Sequence, residues 1–317
     1  MNDARRGGLY GVAAYVLWGL FPLYFRLLES SSTLEILLQR LLWTLPVCLL
    51  VVAATGAAGR LRALLRRGRR VSALAGAAAV LAVNSGCYVY AVNTDRVIEA
   101  SLGYFINPLV TVALAVLVRR EQLRPLQWAA VSTGALSVLV VTVDYGRPPW
   151  IALILAVSFG LYGLIKKQVG GDVDALAGLT TEALTLAPLA AVGLAFYTAT
   201  GHGTFTQDAP WHAMLLAAGG VTVVAPLLLF AAAARRLPLA TIGLLQYLTP
   251  VLQLLIGVVL FHEEMPASRW SGFVLIWIAL ALLSTDALRE QDRQSARRAR
   301  SAPAAQPVPV ELRTPEE

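Results

Sequence analysis

At 317 residues, with 57% hydrophobic and 14% charged side chains and a mean hydropathy of +0.65, the chain has too many long apolar runs to be a soluble globular domain. Its net charge of +7 would suit nucleic acid, but the arginines stand in the connections between apolar runs, where the positive-inside bias of membrane proteins accounts for them. Composition therefore predicts a polytopic membrane protein with the lipid bilayer as its partner and no nucleic-acid role.

Measured against the roughly 20 residues that a spanning helix needs, the apolar runs number ten. Those of the first half cover Leu9 to Leu28, Leu34 to Thr55, Val71 to Val92, Ile98 to Val118 and Leu126 to Val143. Those of the second half cover Trp150 to Ile165, Ala175 to Tyr197, His212 to Ala234, Leu239 to Phe261 and Trp270 to Leu288. The first run fills a whole bilayer span and has no small-residue cleavage site after it, so it reads as a span and not as a signal peptide. Cys48 and Cys87 lie inside apolar runs and read as small packing residues.

Charge sets the expected orientation. With a cytoplasmic N-terminus, the inside receives Arg5, Arg6, the six arginines between Arg60 and Arg70, Arg119, Arg120, Arg124, Lys166, Lys167, Arg235, Arg236 and the basic tail. The outside receives only Arg26, Arg96, Arg147 and Arg269, so both termini are expected in the cytoplasm. Residues 1–8 are then a short cytoplasmic start. Residues 289–317, charged and holding Pro303, Pro307, Pro309 and Pro315, are expected to be a disordered tail.

The fourth run has an unusual interior. In Glu99-Ala-Ser-Leu-Gly-Tyr-Phe-Ile-Asn-Pro108 a carboxylate opens the span and Asn107-Pro108 interrupts it, which predicts a broken helix lining a cavity. An offset of 142 carries Pro108 to Pro250, so the same broken helix is expected in both copies; it carries Glu121 to Glu263 and Trp128 to Trp270, and also Arg40 to Glu182, Pro46 to Pro188, Asn84 to Pro226 and Tyr88 to Phe230. An offset of 141 carries Trp18-Gly19 to Phe159-Gly160 and Arg26 to Lys167. Five runs thus repeat in the other five, residues 9–143 in 150–288. Because five is odd, the second copy enters the membrane from the opposite face, which is the inverted-repeat plan of secondary transporters.

Arg40 and Glu182 are the clearest intramembrane charges, each costing about 2.5–3.5 kcal/mol at a helix centre unless it meets a polar partner or water. Inverted topology sets Arg40 nearer the outer face and Glu182 nearer the inner one, so a symmetric pair of gate charges and a salt bridge are both open. Glu99 can stabilise a helix N-terminus or pair with Arg40 in one access state. Glu182 reads as a proton or ammonium site or as a structural carboxylate, and Arg40 as the holder of a substrate carboxylate or a protein acid. Asn84, Asn107, Gln246 and Gln253 offer neutral polar groups at depth, and Tyr15, Trp18, Tyr88, Tyr104 and Tyr247 can wall an amphipathic pocket. Interhelical hydrogen bonding and plain packing are the bland alternatives for each. Gly19, Gly103, Gly160, Gly163 and Gly243 are expected to permit close helix approach. His202, His212 and His262 have no metalloprotease spacing, and no P-loop or nucleophile elbow is present, so neither an enzyme nor a cofactor is expected.

Several of these residues carry a family likeness: Ala14-Tyr15, Trp18-Gly19, Pro22, Tyr24-Phe25, Glu35, Arg40, Trp43, Asn84, Ala91-Val92-Asn93, the run from Glu99 to Pro108, Glu121, Gln127-Trp128, Ser158-Phe159-Gly160, Tyr162-Gly163, Glu182, Pro188, Pro226, Gln246-Tyr247, Pro250, Glu263 and Trp277. With them the chain, over roughly Leu9 to Ala287, resembles the EamA type of the drug/metabolite transporter superfamily and within it the RarD, or chloramphenicol-sensitivity, family. Two places depart from that pattern: Gln39-Arg40 stands where His-Arg is expected and Asn84-Ser85 where Asn-Trp is expected, removing a candidate proton carrier and an aromatic wall. The resemblance implies a multi-pass inner-membrane exporter of small metabolites, and no natural substrate carries over from it. Together with the repeat it leads to the expectation of an alternating-access carrier exporting small amphipathic metabolites, amino-acid-like ones among the candidates, proton-coupled or else an uncoupled facilitator. A membrane sensor or enzyme without translocation is the rival from another class.

Overall fold

The computed structural model describes residues 3–119, 122–170, 173–205 and 210–301, and their regular structure is all helical. Helices α1 (Asp3–Gly19) and α2 (Phe21–Arg26) make the first crossing and hinge at Leu20, just ahead of Pro22. They are followed by α3 (Thr33–Ala54), a short α4 (Ala58–Leu65), α5 (Gly68–Asn93), α6 (Val97–Arg119) and α7 (Pro125–Tyr145). The second half comprises α8 (Trp150–Val169), α9 (Ala175–Ala199), α10 (Pro210–Ala234), α11 (Leu239–Leu245), α12 (Leu248–Leu255) with a wider turn at Ile256–Leu260, and α13 (Ala267–Ser301). Ten helical segments among the described residues are long and apolar enough to cross a membrane, as the sequence predicts.

The repeat register is visible in the helix starts. Thr33 and Ala175, Gly68 and Pro210, Val97 and Leu239, and Pro125 and Ala267 each stand 142 residues apart. Equivalent helices also meet in pairs: α3 packs on α9, α6 on α12 and α7 on α13. Like-with-like pairing of this kind marks a pseudo-twofold axis, and an odd number of crossings per copy lays that axis in the membrane plane.

Around the axis, α1, α10, α3, α5, α8, α6 and α12 follow one another as a ring of packed neighbours, with α7 and α13 outside it. The largest core cluster joins α6 to α13 and α12 through Leu102, Phe105, Ile106, Leu109, Leu254, Phe273 and Ile276. Leu139, Val143, Leu189, Val192 and Phe196 instead turn outward and are exposed, as suits a surface solvated by acyl chains. Lipid tails are as apolar as leucine, so close fit and not hydrophobicity holds helix to helix. Gly103 shows the fit: a Cβ there would lie 2.8 Å from the Ala152 carbonyl oxygen and 2.9 Å from the Ala152 Cα, so only glycine lets α6 lie this close on α8.

Several expectations are corrected. Pro108 does not break its helix, because α6 runs on through it: proline forfeits one backbone bond, and packing on α8, α12 and α13 holds the rest. The break falls in the second copy, at Gln246-Tyr247, four residues ahead of Pro250, whose missing N–H leaves the Gln246 carbonyl without its helical partner. Gly163 and Gly243 meet open space and make no close approach. α13 extends as helix to Ser301, past the expected tail start at 289, as Arg, Gln, Ala and Glu are good helix formers and no proline intervenes before Pro303. Glu121 and the rest of the tail lie outside the described residues.

Candidate functional site

Arg40 stands seven residues into α3, roughly 10 Å along the helix from its start. The side-chain oxygen of Ser32 caps that start by accepting from the Glu35 N–H at 3.1 Å. The guanidinium carbon of Arg40 lies 5.2 Å from the Phe21 ring centre and 5.5 Å from that of Phe25, both on α2. The phenols of Tyr24, Tyr88 and Tyr104 are its nearest ionisable neighbours. Nε of Arg40 and the hydroxyl of Tyr88 are buried without a hydrogen-bond partner, and no carboxylate among the described residues pairs with this arginine.

Glu182, at the equivalent place in α9, is satisfied. Its carboxylate receives Lys166 Nζ at 2.6 Å and the Tyr162 hydroxyl at 3.3 Å, and its side chain is only 4% exposed. Between the two charges runs a file of rings, Phe25, Tyr88, Tyr104, Phe159 and Tyr162, with successive centres 5.9, 5.7, 6.4 and 6.0 Å apart. Arg40 and Glu182 thus sit at opposite ends of an aromatic wall and do not pair.

Asn84 is buried and donates to the Leu155 carbonyl at 3.0 Å and to Ser158 Oγ at 2.9 Å, tying α5 to α8, while its own oxygen receives the Tyr104 hydroxyl at 3.5 Å. Asn107 and Gln246, one from each repeat, line a cavity of about 370 Å³ with Pro108, Thr111, Arg124 and Asp286. The Asn107 side-chain oxygen is buried there without a partner. Tyr247 packs against the α6–α13 core cluster, and Gln253 donates to the Trp18 carbonyl at 3.3 Å. The sequence candidates therefore separate into an Arg40–Tyr104 group, an Asn107–Gln246 group and a lone satisfied Glu182.

Four carboxylates close one end of the molecule as structural ties, a role the sequence offered only for Glu99. Glu263, on the connection after α12, accepts from the backbone N–H groups of Val97 and Ile98 at 2.6 and 2.9 Å, where α6 starts. Burial raises its pKa above the ordinary glutamate value, and the Ile98 and Val97 bonds oppose that shift in part. Glu35 accepts from the Thr204 N–H at 2.9 Å, from the Thr204 hydroxyl at 3.0 Å and from the Phe205 N–H at 3.2 Å, and Thr204 also meets buried His212 and Ser31. Asp144 of the first repeat holds Arg269 of the second at 3.0 Å. Glu99 pairs with Arg147 at 2.9 Å and accepts from the Ile151 N–H at 3.1 Å, so it serves the start of α8 and not Arg40. The hydrogen bond to Glu99 raises the Arg147 guanidinium above its usual pKa. The repeat match of Glu263 to Glu121 and the place of Glu35 in a first helical turn were the available signals; their partners are remote in sequence.

Among the described residues, no group of three or more His, Cys, Asp or Glu side chains is placed to hold a metal ion. Ten apolar crossings, two copies related by a membrane-plane axis and polar groups at mid-depth define the class as a multi-pass membrane protein of transporter architecture. The model of the EamA-like transporter family matches residues 5–143 and again 148–285, and the chain belongs to that family. It is 48% identical to Protein RarD of Streptomyces exfoliatus over 98% of both chains. It is 36% identical to Protein RarD of Escherichia coli over 93% of this chain and 99% of the other. An uncharacterized transporter of Pseudomonas aeruginosa is 45% identical over 92% of this chain and 97% of its own. A solved crystal structure, 20% identical and covering 89% of this chain and 98% of that one, matches with a TM-score of 0.58 and so shares the fold.

Proposed function

We propose that the protein is a secondary carrier that exports small amphipathic metabolites across the cytoplasmic membrane by alternating access, both termini being cytoplasmic. The observation that carries this reading is a difference between the two ends of the repeat interface. At the Glu263 end, carboxylates of Glu263, Glu35 and Asp144 tie one repeat to the other, while Asn107 and Gln246 of the two repeats line a cavity on the half nearer Arg124. An inverted pair closed at one end can exchange that arrangement for its mirror image, which is what two-sided access requires. Membership of a transporter family and the absence of nucleotide or nucleophile motifs favour transport over catalysis.

Untargeted comparison of metabolites in the medium of cells with and without the protein tests the export reading; identical profiles on overexpression sink it. Collapsing a pH gradient across loaded proteoliposomes separates a proton-coupled carrier, whose flux falls, from a facilitator, whose flux does not change. Tags placed on the two termini should both face the cytoplasm.

A further inference from the structure

We infer that Arg40 and the phenols around it form an anion subsite, and that the cargo is a carboxylate with an apolar body, net negative and not zwitterionic. The inference rests on the carrier reading and names its substrate class.

An arginine at this depth is expensive unless something neutralises it, and the usual neutraliser is an acidic side chain. Among the described residues, the carboxylates near the repeat interface are already engaged: Glu182 by Lys166, Glu99 by Arg147, Asp144 by Arg269, Asp286 by Arg124, Glu35 by the Thr204 and Phe205 backbone, and Glu263 by the start of α6. The rings of Phe21 and Phe25 contact the guanidinium as apolar walls that attract a cation weakly, and they take none of its N–H groups. Guanidinium presents five donors in a rigid plane that match the two oxygens of a carboxylate, and here Nε has no acceptor. The Tyr88 hydroxyl is likewise a buried donor without an acceptor, and Tyr104 stands beside it with ring centres 5.7 Å apart.

One ligand satisfies these groups together. Its carboxylate takes the guanidinium edge and the Tyr88 hydroxyl, and its apolar body lies along the file from Tyr88 to Phe159. A zwitterion or a cation would also need a free acid for its ammonium group, and those named above are all engaged. The repeat makes the same point by contrast, since Glu182, the counterpart of Arg40, has its opposite charge built in.

The full-length protein in lipid nanodiscs tests this with three carboxylates, phenylacetate, N-acetylphenylalanine and octanoate, each beside its primary amide, and with phenethylamine, reading the shift in thermal unfolding. At least one carboxylate should bind about tenfold tighter than its amide, as a charge-assisted pair predicts, and phenethylamine should not compete. Arg40→Gln should abolish that preference. Arg40→Lys should keep part of it, and Tyr88→Phe, which leaves the charge and the packing in place, should weaken it several-fold should the glutamine variant fail to fold. Equal binding of acids and amides, binding of no carboxylate, or an unchanged preference in the Arg40 and Tyr88 variants overturns the inference. Export without carboxylate preference would leave the carrier standing and remove this subsite; carboxylate binding without flux through proteoliposomes would do the reverse.

Discussion

Arg40 and Glu182 stand seven residues into equivalent helices of the two repeats, yet Glu182 holds Lys166 at 2.6 Å while Arg40 has no acidic partner among the described residues. The asymmetry gives opposite outcomes for the two neutralising substitutions. Lys166→Gln leaves a buried carboxylate unpaired and should destabilise the protein by about 3 kcal/mol, at the low end for a broken buried pair because Lys166 is itself 31% exposed in its side chain. Arg40→Gln orphans no acidic partner, loses contacts to two rings and removes an unpaired charge from the span, so it should cost no more than about 1 kcal/mol and can stabilise the protein. Thermal unfolding of both variants in the same detergent compares them directly, and a larger loss at Arg40 contradicts the assignment.

Glu263 gives the seal at its end a pH dependence whose sign follows from the raised pKa. A carboxyl that binds its proton more tightly in the closed arrangement than in water favours that arrangement at low pH, and the advantage fades as pH rises through the raised value. Acidifying from neutrality toward the ordinary carboxylate range should therefore slow hydrogen exchange at the Val97 and Ile98 amides, beyond the intrinsic rate change. Glu263→Gln, which cannot titrate, should flatten that response.

Glu35 anchors the connection between α9 and α10 by accepting from three donors, the Thr204 N–H, the Thr204 hydroxyl and the Phe205 N–H. Glu35→Ala removes a charged acceptor and leaves those donors without it, so the segment should open more often. A Phe205→Cys reporter, in a background with Cys48 and Cys87 replaced, should then react with a membrane-impermeant thiol reagent about tenfold faster. An unchanged rate would mean that the connection is held by other contacts.

Gly103→Ala sets a methyl group 2.8 Å from the Ala152 carbonyl oxygen and should cost about 1–3 kcal/mol by forcing α6 off α8. Gly163→Ala meets open space and should be neutral or stabilising by up to about 1 kcal/mol through helix propensity. Unfolding midpoints of the two variants should move in different directions.

Ten crossings, the 142-residue register and the family were all legible in the chain, because bilayer thickness imposes a run length and duplication leaves prolines, tryptophans and glutamates at a constant spacing. Arg40 and Glu182 could be singled out for the same reason, since a charge inside an apolar run is conspicuous. Sequence could not say which carboxylate meets which donor. Glu263 reaches Val97 across 166 positions and Glu35 reaches Thr204 across 169, and nothing local encodes such pairings. It also expected a helix break in both copies where only the second has one, because whether a proline interrupts a membrane helix depends on the neighbours that hold the helix on either side of it. The helix that carries Pro108, α6, packs on α8, α12 and α13, whereas the chain ahead of Pro250 turns at Gln246. Local composition decided where the chain enters lipid, and the packing of ten helices decided which intramembrane charge meets a built-in partner, as Glu182 does and Arg40, among the described residues, does not.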